Sequence, residues 1–433
     1  MLNAPKGDNL LNMAIKENII KNYPCGLRVV VRPMPNFKSV STAVYIGVGS
    51  GAEAENEHGL AHAVEHMLFK GTATRTAEQI AQTLANLGVQ YNAYTSNTAT
   101  CYHTKGLLTN LDDCCDILSD MYFNTKFADD EFKREMEVIV QEISMRDDLP
   151  HGALAELSME TFYAGTKFEH PIAGTIKGVR GFKAEQIYDF IKRNYTAPNT
   201  IIAFSGDITV DQVERVVKKY FLNRFKDKSK PNAPVKTDEC VNPPAKHTGR
   251  KKKVNQHHAA ILFPTVNQWH EDKYALEFID GILTTDMSSR LFLSVRERLG
   301  LVYSIHGGTQ MTDIGGYYYI RFSCTPQNTA KVLEVIESEI NKFKTEGATD
   351  EEVQKVKNVE KASRFFDDEY VELTNQRIVT QLGELGFIID TAEFLQKMNA
   401  VTPKIVQATA QKYLDMPRAT VCIIGHKWNK LFK

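Results

Sequence analysis

Residues 187–206, IYDFIKRNYTAPNTIIAFSG, and residues 405–425, IVQATAQKYLDMPRATVCIIG, are two versions of one pattern. Each reads as an amphipathic helix (Ile187 to Tyr195, Ile405 to Tyr413), then a proline that cannot extend it (Pro198, Pro417). Each then runs into an apolar strand closed by a glycine, Thr200 to Gly206 in the first case and Ala419 to Gly425 in the second. The two glycines lie 219 residues apart. An echo at that spacing predicts two duplicated domains.

Between them, Lys226 to Lys253 is rich in lysine and proline and poor in apolar residues, which reads as a connector. The expected boundaries are an N-terminal domain over 1–227, a linker over 228–252 and a C-terminal domain over 253–433. Within the first half, Leu27 to Val31 and Val40 to Val48 read as strands, and Glu57 to Phe69 as a helix. Thr76 to Leu87 reads as a second helix, with a capping-box pair at Thr76 and Gln79 and a stop at Gly88. Val89 to Thr95 and Thr100 to Lys105 read as paired strands around a polar turn. The mixture predicts an α+β fold, each domain a largely antiparallel sheet covered by helices on one side.

The predicted helix 57–69 contains His62-Ala63-Val64-Glu65-His66. Positions i, i+3 and i+4 are neighbours on a helix surface, so two imidazoles and a carboxylate share one face. Two histidines one turn apart can bind one metal ion, and the glutamate between them can take a proton from an attacking water. The order H-x-x-E-H inverts the commoner zinc-protease helix motif. A catalytic zinc needs a third ligand. The candidate is Glu142, on a stretch, Asp129 to Arg146, with Phe132, Met136, Ile139, Val140 and Ile143 at helical spacing. Glu135 and Glu142 are seven residues apart there, on nearly one face.

With these motifs the chain resembles the pitrilysin, or M16, metallopeptidases, in the half-length branch that includes mitochondrial processing peptidase, almost from end to end. The family pattern is H-x-x-E-H followed some seventy-five residues later by a glutamate, and Glu142 lies 76 residues after His66. The resemblance implies the LuxS/MPP-like metallohydrolase fold, one zinc ion per chain held by His62, His66 and Glu142, Glu65 as general base, and Glu135 as a supporting carboxylate. It also implies that Gln90 to Thr95 is an edge strand binding peptide, with Asn92 and Ala93 at the matching positions. In Arg296-Glu297-Arg298-Leu299-Gly300-Leu301-Val302-Tyr303 it implies an arginine and tyrosine, Arg296 and Tyr303, that complete the active site. Read without the family, a helix-end arginine and a strand tyrosine are structural.

Because one half-length chain carries both sets, the expectation is a homodimer of clamshell halves acting on short or unfolded peptides. The alternatives are a subunit of a heterodimeric peptidase or a non-catalytic, peptide-binding relative. Two departures stand out. Ala63 occupies a position often aromatic in the family, and the pairs Gly307-Gly308 and Gly315-Gly316 are too short for the glycine-rich loop of the processing peptidase's non-catalytic subunit.

Composition narrows the rest. With 52 Lys and Arg against 53 Asp and Glu, nucleic acid is not an expected partner. Seven cysteines without a C-x-x-C pair read as reduced thiols. No stretch is apolar for the length a bilayer requires, and Met1 to Glu17 lacks arginine and an apolar run, so the expectation is no membrane association and a cytoplasmic location. His58 is expected to be exposed ahead of the helix, and His257-His258 to point to opposite faces of a strand.

Overall fold

Valine- and isoleucine-rich runs flanked by glycine and proline form the strands of the computed structural model, which describes residues 18–226 and 228–431. Residues 1–17, on which the reading against a leader rests, lie outside the described residues. The chain divides into two compact units. The first takes residues up to Ile143, then 172–234 and 364–394; the second takes 144–171, 235–363 and the chain from Leu395 on.

The first unit holds six strands: β1 (Ile19–Asn22), β2 (Arg28–Pro33), β3 (Ser39–Ile46), β4 (Gln90–Thr95), β5 (Thr100–Leu107) and β6 (Thr200–Gly206). Their order is β1-β2-β6-β3-β5-β4, antiparallel except for the β2–β6 pair. Alternation places Val29, Val31, Val44, Ile46, Ile202 and Phe204 on one face, packed with the helices Leu60–Leu68, Leu111–Asn124, Ala184–Asn194 and Val210–Tyr220. Val30, Ala43, Tyr45, Ile201 and Ala203 point the other way, onto Ile378, Val379 and Leu382 of the helix Val371–Glu384. Burial on both faces explains why these strands read as continuous apolar runs.

The second unit holds β7 (His247–Arg250), β8 (His257–Thr265), β9 (Ile305–Thr312), β10 (Gly315–Cys324) and β11 (Thr420–Ile424), in the order β7-β11-β8-β10-β9. Again one pair, β7–β11, is parallel and the others antiparallel. Apart from the extra β1, the strand order of the first sheet is repeated, which is the physical content of the 219-residue echo. On one face Ala260, Leu262, Tyr317 and Cys422 pack against Leu154 and Leu157 of the helix Pro150–Phe162. The fold is thus tandem α+β, with largely antiparallel sheets under helices. The second face of each sheet carries one further helix, and that helix comes from the opposite half of the sequence. The segment predicted as a connector ends in β7 rather than in unstructured chain.

Two local features position the helices that carry the candidate ligands. The helix Leu60–Leu68 starts at Gly59, whose φ of +99° is left-handed, and a Cβ there would meet Ala173 O at 2.7 Å. Leu60, Ala61, Ala63, Val64, Met67 and Leu68 are buried, so Ala63 is a core residue, while Glu65 and His66 stay at the rim. The helix Asp129–Asp148 opens on Asp129, Asp130 and Glu131, acids that suit a helix N-terminus, and buries the apolar set read from the sequence together with Glu135.

Candidate metal centre

The first unit brings His62, His66 and Glu142 together. One potential ligand atom from each lies within 4.8 Å of the others, the only such group of three or more among the described residues. His62 Nε2 is 3.7 Å from Glu142 Oε1, and His66 Nε2 is 3.5 Å from Glu142 Oε2. The ring centroids are 4.7 Å apart. Tetrahedral zinc with ligand bonds near 2.1 Å needs ligand atoms roughly 3.4 Å apart, so three donors within 4.8 Å of one another would close inward on a zinc ion. The donor types, two imidazoles and one carboxylate, are those of an open catalytic site rather than a closed structural one.

The charges point the same way. Glu65, Glu135 and Glu142 surround two imidazoles, an excess of negative charge that calls for a cation. Burial alone would lower the His66 pKa, but hydrogen bonds to Glu135 and Glu142 outweigh it and lift it to about 9. His66 Nδ1 is 2.8 Å from Glu135 Oε1. A neutral ring donating from Nδ1 to that carboxylate leaves Nε2 free to face the metal. Burial would raise the Glu135 pKa, yet the bonds from His66 and Lys70 more than offset it.

Glu65 accepts a 2.5 Å hydrogen bond from Thr95 Oγ1, on the last residue of β4. Burial raises its pKa and the Thr95 hydroxyl pulls it back. β4 is an edge strand, paired only with β5, so its outer side can accept an extended peptide. Asn92 is exposed there, and its Oδ1 accepts from the Ala93 N–H at 2.9 Å.

Arg296 and Tyr303 belong to the second unit and stand beside each other, the Arg296 guanidinium 5.5 Å from the Tyr303 ring and 4.5 Å from that of Phe292. Arg296 lies on Phe292–Arg298, a π-helix, a rare conformation often found where function requires it. Tyr303 is not on a strand as expected: it sits in a bend two residues before β9, 81 % exposed.

His58 is half-buried rather than exposed, its Nδ1 3.9 Å from Glu53, and takes no place among the ligands. His257 bonds Thr329 and the His426 carbonyl, whereas His258 bonds Ser323, consistent with opposite faces of β8. Three contributors carry no signal in the sequence. Glu53 accepts from the Gly59 and Ala61 N–H at 2.9 and 2.7 Å and so caps the helix of the two histidines. Thr95 orients Glu65, and Lys70 pairs with Glu135.

Comparison with known proteins places this geometry in a family. Residues 28–176 match the sequence model described as Insulinase (Peptidase family M16), and residues 181–360 match the one described as Peptidase M16 inactive domain. The chain belongs to the M16 peptidase family. It is 31 % identical over 403 residues, 91 % of this chain and 95 % of the relative, to YmxG of Bacillus subtilis (strain 168), described as an uncharacterized zinc protease. A similar zinc protease of Mycobacterium leprae is 30 % identical over 392 residues, covering 90 % of this chain and 88 % of that one. The crystal structure of a protease from Helicobacter pylori shares the fold, with a TM-score of 0.88 at 22 % identity over 94 % of this chain and 99 % of that one. No helix among the described residues is long and apolar enough to cross a membrane, and the seven cysteines are free thiols.

Proposed function

We propose that the chain is a zinc endopeptidase that cuts short or unfolded peptides, with one zinc per chain on His62, His66 and Glu142. The observation that carries this is the convergence of those three side chains on one point, with a second carboxylate, Glu65, on the helix of the two histidines. A bound zinc ion supplies Lewis acidity, lowering the pKa of a water and polarising a carbonyl oxygen.

The protein's own residues do the rest. The edge of β4 around Asn92 and Ala93 holds the peptide as an added strand through its outward-facing main-chain groups, with the Ala93 N–H released from the Asn92 side chain, so affinity does not depend on sequence. Thr95 keeps one oxygen of Glu65 engaged and the other available. Glu65 accepts the proton of the attacking water and returns one to the leaving amine nitrogen. Glu135 holds the His66 ring. Tyr303 donates to the tetrahedral oxyanion and Arg296 binds a substrate carbonyl or carboxylate.

The zinc-binding residues and the Arg296/Tyr303 pair lie in different units of one chain, and both sets are present. We therefore read the protein as a cytoplasmic homodimer in which each subunit's pair finishes the other's centre. The experiment is zinc content and peptide hydrolysis of the purified chain, with and without chelator, beside Glu65→Gln. One zinc per chain, chelator-sensitive hydrolysis and a zinc-loaded but inactive variant are expected. An active Glu65→Gln, or protein that takes up no zinc, overturns the reading.

A further inference from the structure

Lys70 follows the metal helix by two residues, its backbone N–H bonded to the Met67 carbonyl in the turn that ends the helix. From there its side chain reaches across to the helix Asp129–Asp148, where Nζ lies 2.7 Å from Glu135 Oε2. The other oxygen of the same carboxylate, Oε1, is the one 2.8 Å from His66 Nδ1. The Glu135 side chain is 8 % exposed and that of Lys70 28 %. A buried carboxylate whose two oxygens meet two different donors has one orientation open to it.

We infer that Lys70 is a positioning residue of the metal centre: by fixing Glu135 from the far side it sets the ring of His66 and the register of the two ligand-bearing helices. The inference rests on the reading of His62, His66 and Glu142 as zinc ligands. Glu135 and Glu142 are two turns apart on one helix, and His62 and His66 one turn apart on the other. The Lys70–Glu135 pair therefore joins the end of the histidine helix to the helix that supplies the third ligand. With Lys70 removed, the buried charge of Glu135 is balanced on one side only, and the carboxylate is free to rotate away from Nδ1. The three donor atoms then lose the pre-set spacing that zinc requires. Partners that orient metal ligands from behind are worth about 10- to 100-fold in affinity, and Lys70 acts one bond further back, through Glu135.

The test is zinc affinity of Lys70→Met and Lys70→Arg, measured by competition with a chromophoric chelator, together with Tm of each protein metal-free and zinc-loaded. The expected result is a zinc dissociation constant raised about ten-fold in Lys70→Met, with the Tm of the zinc-loaded form lowered more than that of the metal-free form, so that the Tm gain on loading shrinks, and both effects reversed towards wild type in Lys70→Arg. A surface ion pair with no positioning role would leave the dissociation constant unaltered, or lower Tm equally in both forms, and either outcome overturns the inference. Where Lys70→Met does not fold, Lys70→Gln takes its place in the same comparison. Wild-type protein that fails to bind zinc sinks the peptidase reading itself; wild type that binds beside a Lys70→Met of equal affinity sinks only the role of Lys70.

Discussion

The Thr95 hydroxyl donates to Glu65 Oε2 across the gap between an edge strand and the helix of the two histidines, tying the strand proposed to hold peptide to the proposed general base. Removing the donor without changing shape isolates that link. Hydrogen bonds to charged groups are worth about 1.5–3 kcal/mol. Thr95→Val is therefore expected to lower kcat roughly ten-fold or more, with KM and zinc content retained. Steady-state kinetics beside metal analysis reads this out, and an unchanged kcat would remove Thr95 from the site.

The proposed third ligand, Glu142, can be tested apart from catalysis. Glu142→Ala leaves two imidazoles, too few for a stable site. The variant should fold with wild-type Tm in the metal-free state and retain no zinc after gel filtration. Stoichiometric zinc in that variant would move the ligand elsewhere.

Glu53 predicts a pH dependence. Burial pushes its pKa up to about 8, against the lowering pull of the Ala61 and Gly59 N–H groups; Glu57 adds to the rise, and His58 stands 3.9 Å away. A carboxyl whose folded pKa exceeds its unfolded value binds protons better when folded. Its contribution is complete below the unfolded pKa near 4.5 and is lost as pH climbs to about 8. Wild-type Tm should thus fall across that window, and Glu53→Gln, which keeps an oxygen acceptor for one of the two N–H groups and carries no titrating proton, should flatten the slope. Parallel slopes for the two proteins would assign the effect to other groups.

Gly383 tests the helix laid on the first sheet. A Cβ there would sit closer to the Tyr45 ring than van der Waals contact allows, and Tyr45 is fully packed. Gly383→Ala should cost about 1–3 kcal/mol by overpacking, despite the better helix propensity of alanine. A variant as stable as wild type in urea would mean the ring has room to yield.

Assembly has its own test. Glu65→Gln and Arg296→Ala chains, each inactive alone, should give activity when refolded together, because one centre of the hybrid dimer then has both parts intact. Isolated hybrids without activity would exclude sharing between subunits.

Much of the fold and of the metal centre is legible in the residues, and the rest is hidden for physical reasons. Short-range patterns transfer directly: the Thr76–Gln79 capping box forms as its spacing predicts, and the helix Asp129–Asp148 buries Phe132, Met136, Ile139, Val140 and Ile143. The i, i+4 histidines need only a helix. Glu142 stands out because it shares a helix face with Glu135 and lies 76 residues after His66, the spacing that the family resemblance implies for a ligand. Long-range placement leaves no such trace. The apolar residues that the helices Pro150–Phe162 and Val371–Glu384 bury, among them Leu154, Leu157, Ile378 and Leu382, would suit either sheet, so nothing in them announces that each covers a sheet of the other half. Lys70 and Glu53 are polar residues next to helix ends, alike in sequence to many that only meet water. Leu301-Val302-Tyr303 has the apolar character of a strand, but the chain there is still leaving a π-helix.

Exchange of segments 144–171 and 364–394 between units has a consequence for biosynthesis. The candidate ligands His62, His66 and Glu142 emerge early from the ribosome, yet Val30, Tyr45 and Ala203 lack their cover until Ile378 and Leu382 have been translated. The nascent first half must wait with apolar surface bare, a state prone to aggregation. The first unit is thereby completed only when most of the polypeptide exists, although its candidate metal ligands are made in the first third of the chain.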